Sequence, residues 1–193
     1  MLMNQPATRV LVIGYVWPEP RSSAAGGHMM QILESFLTQG WDITFASPAA
    51  LGEHKADLQV LGIAERAIEL NNSSFDDFVR ELAPDIVLFD RFMMEEQFGW
   101  RVEKCCPDAL RVLETSDLQS LRDARHQRLK AQLKADPDSD DFSALFAPAL
   151  TQEFQLMADT DLAKREIAAI YRCDISLMIS ARSLPLLSRR SSN

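Results

Sequence analysis

Three cysteines, three histidines and seven glycines in 193 residues remove several kinds of function before any motif is considered. Cys105 and Cys106 are adjacent and Cys173 is remote, a spacing that suits no zinc site. The thiols are expected to be reduced, small, buried hydrophobes. His28, His54 and His126 fall in different predicted elements. Neither an H-E-x-x-H pair nor a G-x-S-x-G elbow occurs, so no metal and no cofactor is expected. Basic charge is short as well: 20 Lys and Arg against 28 Asp and Glu give a net charge of −8. That balance argues against a nucleic-acid binder, which needs a basic face. No apolar run approaches the length that spans a bilayer. The opening MLMNQPATRV is shorter and more polar than a secretory signal, so a cytoplasmic location is expected.

What the chain does have is α/β patterning. Its length suits one domain with one well-buried core. Val10-Leu11-Val12-Ile13-Gly14 is an unbroken aliphatic run, as expected of a strand buried on both faces of a parallel sheet. An irregular loop with Pro18, Pro20, Ser22 and Ser23 follows. Gly26-Gly27 then open a helix whose apolar positions Met29, Ile32, Leu33, Phe36 and Leu37 recur at helical spacing, and Gly40 ends it. The loop is placed at the carboxyl end of the strand, where open α/β sheets bind ligands.

The dinucleotide fingerprint GxGxxG is absent, because Gly14 and Gly26 are too far apart for its tight turn. The second strand, 41–47, ends in Ser47-Pro48 where a ribose-binding carboxylate would stand. A nicotinamide site is therefore disfavoured. Two readings of Gly26-Gly27 stand level: a plain turn, or an anion site at a helix N-terminus.

Further along, the segment 52–62 reads as a short helix and 67–70 as a short strand. Asn71-Asn72-Ser73-Ser74 reads as a loop and N-cap, with Phe75, Phe78, Val79 and Leu82 on the buried face of a helix that Pro84 stops. The run 85–90 is a second buried strand that presents Asp90 and Arg91 at the same edge as the glycine loop. An ion pair on a solvated rim is preferred there to a ligand contact. A helix over 95–106 leads to a strand over 110–113, ending in Glu114-Thr115-Ser116-Asp117. Asp117 reads as the N-cap of a basic helix over 118–134 before it reads as a catalytic group.

That helix carries Arg122, Arg125, Arg128, Lys130 and Lys134. A solvated helix is preferred to docking on anionic lipid. Asp136, Asp138 and Asp140 match the first EF-hand ligands, but Asp141 and Ala147 replace the required glycine and glutamate, so the stretch reads as a solvated loop. A helix over 151–171, with a break near Asp159-Thr160-Asp161, precedes a last strand over 173–180.

Together these elements predict an α/β, Rossmann-like, mostly parallel sheet of about six strands with helices on both faces. In their order and spacing they resemble the N-terminal, acceptor-side domain of a GT-B glycosyltransferase of the retaining, glycogen-synthase-like group. The resemblance rests on the proline-bearing loop with Gly26-Gly27, on Gly40-Trp41-Asp42-Ile43-Thr44, on 84–90, on Leu113-Glu114-Thr115-Ser116-Asp117-Leu118, and on Glu166 through Ser180. It implies transfer of a hexosyl group from a nucleotide-sugar to a glycan or other hydroxyl acceptor. It further implies substrate contacts at Gly26, Gly27, Asp90, Arg91 and Ser116, with Asp117 as a catalytic candidate. The family often has a histidine before that aspartate; here Ser116 takes its place. Some members work at the inner membrane face, which would make the basic helix a weak membrane contact.

On this resemblance residues 1–180 are the whole first domain, 181–193 a disordered or divergent tail, and the C-terminal donor-binding domain is missing. The chain is then expected to be a truncated half, inactive alone. The alternatives are a non-catalytic module that binds an anion or sugar-nucleotide, and a small α/β regulatory domain. The acidic cluster of a receiver is absent from Gly14-Tyr15-Val16-Trp17.

Overall fold

The aliphatic run after Thr8 becomes β1 (Arg9–Ile13), an inner strand of a six-stranded sheet. The computed structural model describes residues 6–137, 155 and 157–178. The other strands are β2 (Asp42–Ser47), β3 (Ala64–Ala67), β4 (Ile86–Asp90), β5 (Leu110–Glu114) and β6 (Ile175–Leu177). Their order is β3-β2-β1-β4-β5-β6, and every neighbouring pair is parallel. This is the doubly wound, Rossmann-like arrangement, with its switch point between β1 and β4.

Five helices accompany the strands among the described residues: α1 (Ala24–Thr38), α2 (Ser74–Leu82), α3 (Phe92–Cys105), α4 (Gln119–Ala135) and α5 (Asp161–Arg172). Burial on both faces explains why β1 carries no polar residue after Arg9. Val10 and Val12 join Met29 and Leu33 of α1, Ile43 and Phe45 of β2, and Leu88 of β4 in one core cluster. The opposite pleat positions Leu11, Ile13, Val87 and Phe89 are fully buried too, which requires a second layer. Right-handed crossovers put α2 and α3 there. Phe75 of α2 and Phe98 of α3 meet with ring centroids 4.6 Å apart, and α3 packs along β4.

The chain divides into two compact units. Residues up to Ser116, with Arg172–Leu177, form the first and hold the whole sheet. Within it, Arg172 donates to both oxygens of buried Glu95, which fixes the approach to β6. In the second unit Leu118, Leu121 and Ala124 cluster with Met157 and Ala163. Glu166 of α5 caps α4 from a distance, accepting from the Gln119 N–H (2.8 Å), the Ser120 N–H (3.1 Å) and the Ser120 hydroxyl. Burial raises the Glu166 carboxyl above its ordinary value against the pull of those donors.

Several sequence-based expectations need correction. The cap of α4 is Glu166, and Asp117 instead pairs with Arg122, 2.8 Å away. The helix expected over 52–62 is a single 3-10 turn, Gln59–Leu61: Leu58 and Ile63 are buried on either side while Val60 is exposed. Strand β3 begins at Ala64, not Ala67; it is an edge strand with few buried positions and so leaves no apolar signature. The three thiols are half-buried rather than buried. Burial still pushes Cys173 up to about 12.

The break near Asp159 is present, since Thr160 starts α5 by accepting from the Ala163 N–H at 3.1 Å. The upstream part of that helix, most of the acidic stretch after Pro137, the end of the last strand and the tail lie outside the described residues. No helix among the described residues is long and apolar enough to cross a membrane.

Candidate functional site

The site is assembled at the carboxyl ends of β1, β4 and β5. After β1 the chain turns through Gly14 to Ser23 and enters α1. Ser23 is the N-cap, its hydroxyl accepting from the Gly26 N–H at 3.0 Å. The carbonyl of Glu19 accepts from both Ser22 and Ser23 N–H groups at 3.1 Å, folding the loop onto the helix start. Trp17 holds the loop from the other side: its ring lies 5.6 Å from that of Phe45, and its indole N–H donates to the Ala49 carbonyl at 2.9 Å.

Helix α1 therefore begins at Ala24, and the two glycines sit inside its first turn instead of opening it. They are not equivalent. A Cβ on Gly26 would lie 2.5 Å from the Glu19 carbonyl oxygen, so this glycine is required by packing within the chain. A Cβ on Gly27 would meet nothing within 4 Å. Gly27 is open, but it is Gly26 that lines the cavity described next.

Between this loop, the start of α1 and the end of β4 lies a cavity of ≈ 350 Å³. Tyr15, Trp17 and Met29 supply its apolar wall, and Glu19, Ser23, Asp90 and Arg91 its polar groups. Asp90 does not sit on a solvated rim as expected. It is 7 % exposed, accepting from the Tyr15 N–H and the Ser116 hydroxyl, each at 3.2 Å. Burial raises its carboxyl above the ordinary value, opposed by Arg91, the Tyr15 N–H and the Ser116 hydroxyl. The ion pair with Arg91 does exist, at 3.7 Å, but within this enclosed setting.

Arg91 carries two signs of constraint. Its backbone is at φ 72° and ψ 155°, a region almost reserved for glycine that costs an arginine on the order of 1–3 kcal/mol. Its Nε is buried without a hydrogen-bond partner, while its guanidinium lies 4.9 Å from the centre of the Tyr15 ring. Ser116, at φ 53°, is also in the left-handed region.

Sequence reasoning gave no role to two members of the site, although Glu114 stands in a strand end that it singled out. Glu114, the last residue of β5, is 1 % exposed and accepts from the Ser116 hydroxyl at 2.6 Å. His28, in the first turn of α1, has its Nε2 3.3 Å from Glu114 Oε1. The available signal was positional: both follow from the α1 start and the β5 end facing one edge.

Gly26, Asp90, Arg91 and Ser116 thus belong to one neighbourhood in the first unit, while Gly27 does not line its cavity. Asp117 belongs to the second unit, paired with Arg122. Among the described residues no group of three or more His, Cys, Asp or Glu side chains is placed to hold a metal ion.

Fold and edge together define a Rossmann-like α/β protein with a ligand-sized cavity at its switch point. No protein-family model matches the chain, and no curated protein matches it significantly.

Proposed function

We propose that this chain is the acceptor-side half of a GT-B glycosyltransferase that moves a hexosyl group from a nucleotide-sugar to a glycan or other hydroxyl acceptor. The observation that carries the reading is the cavity. Its aromatic wall suits the C–H face of a sugar ring, and its carboxyls, serine and arginine suit hydroxyl groups. The absence of a dinucleotide fingerprint and of a carboxylate after β2 supports a sugar over a nicotinamide cofactor. In this architecture the donor site belongs to a second Rossmann-like domain, which the described residues do not include. The chain alone then binds its sugar ligand but does not turn over, because positioning donor and acceptor is a large share of the rate. We place it in the cytoplasm. The exposed Arg125, Lys130 and Lys134 of α4 support a weak contact with an anionic membrane face.

Ligand-observed NMR with methyl hexosides and with uridine and guanosine diphosphate hexoses tests this. Binding by the chain at about 1 mM or tighter is expected, with no glycosyl transfer. Arg91→Gly, which takes the arginine off the cavity wall and frees a strained backbone, should weaken it without unfolding the protein. No binding by any probe up to ~10 mM would sink the sugar reading. Steady transfer by residues 1–193 alone would sink the half-enzyme reading.

A further inference from the structure

Four side chains run in one line from the cavity wall to solvent. Asp90 lines the cavity, and its Oδ1 lies 3.2 Å from the Ser116 hydroxyl. That hydroxyl is 2.6 Å from Glu114 Oε2, and Glu114 Oε1 is 3.3 Å from His28 Nε2. The His28 side chain is 41 % exposed.

A serine hydroxyl brings one proton, yet two buried carboxyl groups face it. Asp90 also accepts from the Tyr15 N–H and Glu114 faces His28 Nε2, so the serine hydroxyl is what joins the two carboxyl groups to each other. Burial raises the Asp90 carboxyl above its ordinary value, which suits a group that takes up a proton. On the same cavity wall the buried Nε of Arg91 makes no hydrogen bond and lies 3.7 Å from Asp90 Oδ1, close enough to balance the charge of that carboxylate.

We propose that Asp90, Ser116, Glu114 and His28 form a proton relay through which a hydroxyl-bearing ligand in the cavity gives up its proton to solvent. The ligand class rests on the sugar reading above. As the ligand oxygen bonds to the glycosyl carbon of a nucleotide-sugar, its O–H bond breaks and the proton passes to the Asp90 carboxylate, while the nucleoside diphosphate leaves with the electron pair of the broken glycosyl bond. Asp90 then donates to Ser116 Oγ as the serine proton moves to Glu114. The Glu114 carboxyl turns and donates to His28 Nε2, which releases the proton to water. No electrons change hands along the relay. The charged groups that face Asp90 are Arg91 from the start of α3 and Glu114 from β5, with Glu19 on the loop lining the same cavity.

The test is made on the ligand-free chain with ¹³C-labelled aspartate, following the Asp90 carboxyl carbon with pH and assigning it by its loss in Asp90→Asn. The variants are His28→Gln, Ser116→Gly and the two combined. Glycine removes the hydroxyl at a position whose positive φ it adopts freely, so the fold is retained. His28→Gln should displace the Asp90 midpoint by about half a pH unit or more, as coupled sites require. In the Ser116→Gly background the same change should displace nothing. A superimposable curve in His28→Gln overturns the relay. So does a displacement that survives loss of the hydroxyl, since it would then act through space. Because no sugar is present, either result bears on the relay alone, and failure of hexoside binding bears on the sugar reading alone.

Discussion

The two ends of the same sheet use carboxylates in opposite ways. At the amino end Asp85 accepts from the Arg9 N–H and Asp174 from the Arg111 N–H, each at 2.8 Å, stitching a neighbouring strand in place. These groups remain in water: the Arg9 and Asp85 side chains are 45 % and 52 % exposed. At the carboxyl end Asp90 and Glu114 occupy equivalent strand-terminal positions but are buried, bridged by one serine, and set against a cavity. Hydrated carboxylates that bind backbone N–H groups hold a fold together cheaply. Buried ones cost stability through lost hydration, and they persist where something else is gained.

The comparison is broken most directly by deletion. Glu114→Ala should lose about 2–3 kcal/mol, because it empties a buried position and removes the shorter of the two hydrogen bonds of the Ser116 hydroxyl. Asp85→Ala should lose no more than about 1 kcal/mol, since water replaces the carboxylate at an exposed N–H. Urea unfolding of both variants checks this, and equal losses would erase the distinction between the two ends.

Backbone strain sharpens it. Arg91→Gly relieves a conformation costing on the order of 1–3 kcal/mol and gives up the contacts with Asp90 and Tyr15. A net gain of about 1 kcal/mol in stability is expected, with hexoside binding weakened. A gain in stability at unchanged affinity would show that the arginine is strained without serving the cavity.

How far these ends were legible in the sequence follows from the kind of signal each carries. The buried strands β1 and β4 announce themselves as continuous apolar runs, and α1 by its spacing, so the parallel Rossmann-like sheet was within reach. Edge strand β3 was placed three residues late because its residues are mostly exposed and their pattern is set by pairing with β2 alone. The site was half legible. Residues at strand ends near the glycine loop could be picked out by position, but burial could not: Asp90 reads the same in sequence whether it is solvated or enclosed. His28 and Glu114 stand 86 positions apart, and only the fold brings them together. Likewise the cap of α4 comes from Glu166, far along the chain, where local spacing pointed to Asp117.

The smallest expected effect is a pH dependence that separates the two ends by sign. Burial raises the Asp90 carboxyl in the folded chain above its value of 3.8 when unfolded, so between those two values the folded state holds more of the proton. Stability then falls as pH rises across that window: the contribution is fully present below 3.8 and lost once pH passes the raised folded value. Asp90→Asn has no proton to lose there. Its stability relative to the parent chain should therefore climb as pH rises through the window and then level off. Other groups that titrate in the same range, Glu166 among them, cancel in this difference because both proteins carry them. Asp85→Asn makes the same chemical change at the solvated end, where the carboxylate is a useful acceptor, and it controls for the loss of charge alone. Unfolding free energies from urea titrations at several pH values, taken for the three proteins, supply the measurement. A flat difference for Asp90→Asn, or one that falls with pH, would mean that Arg91 and the Ser116 hydroxyl outweigh burial and that the carboxyl end is not the costly one.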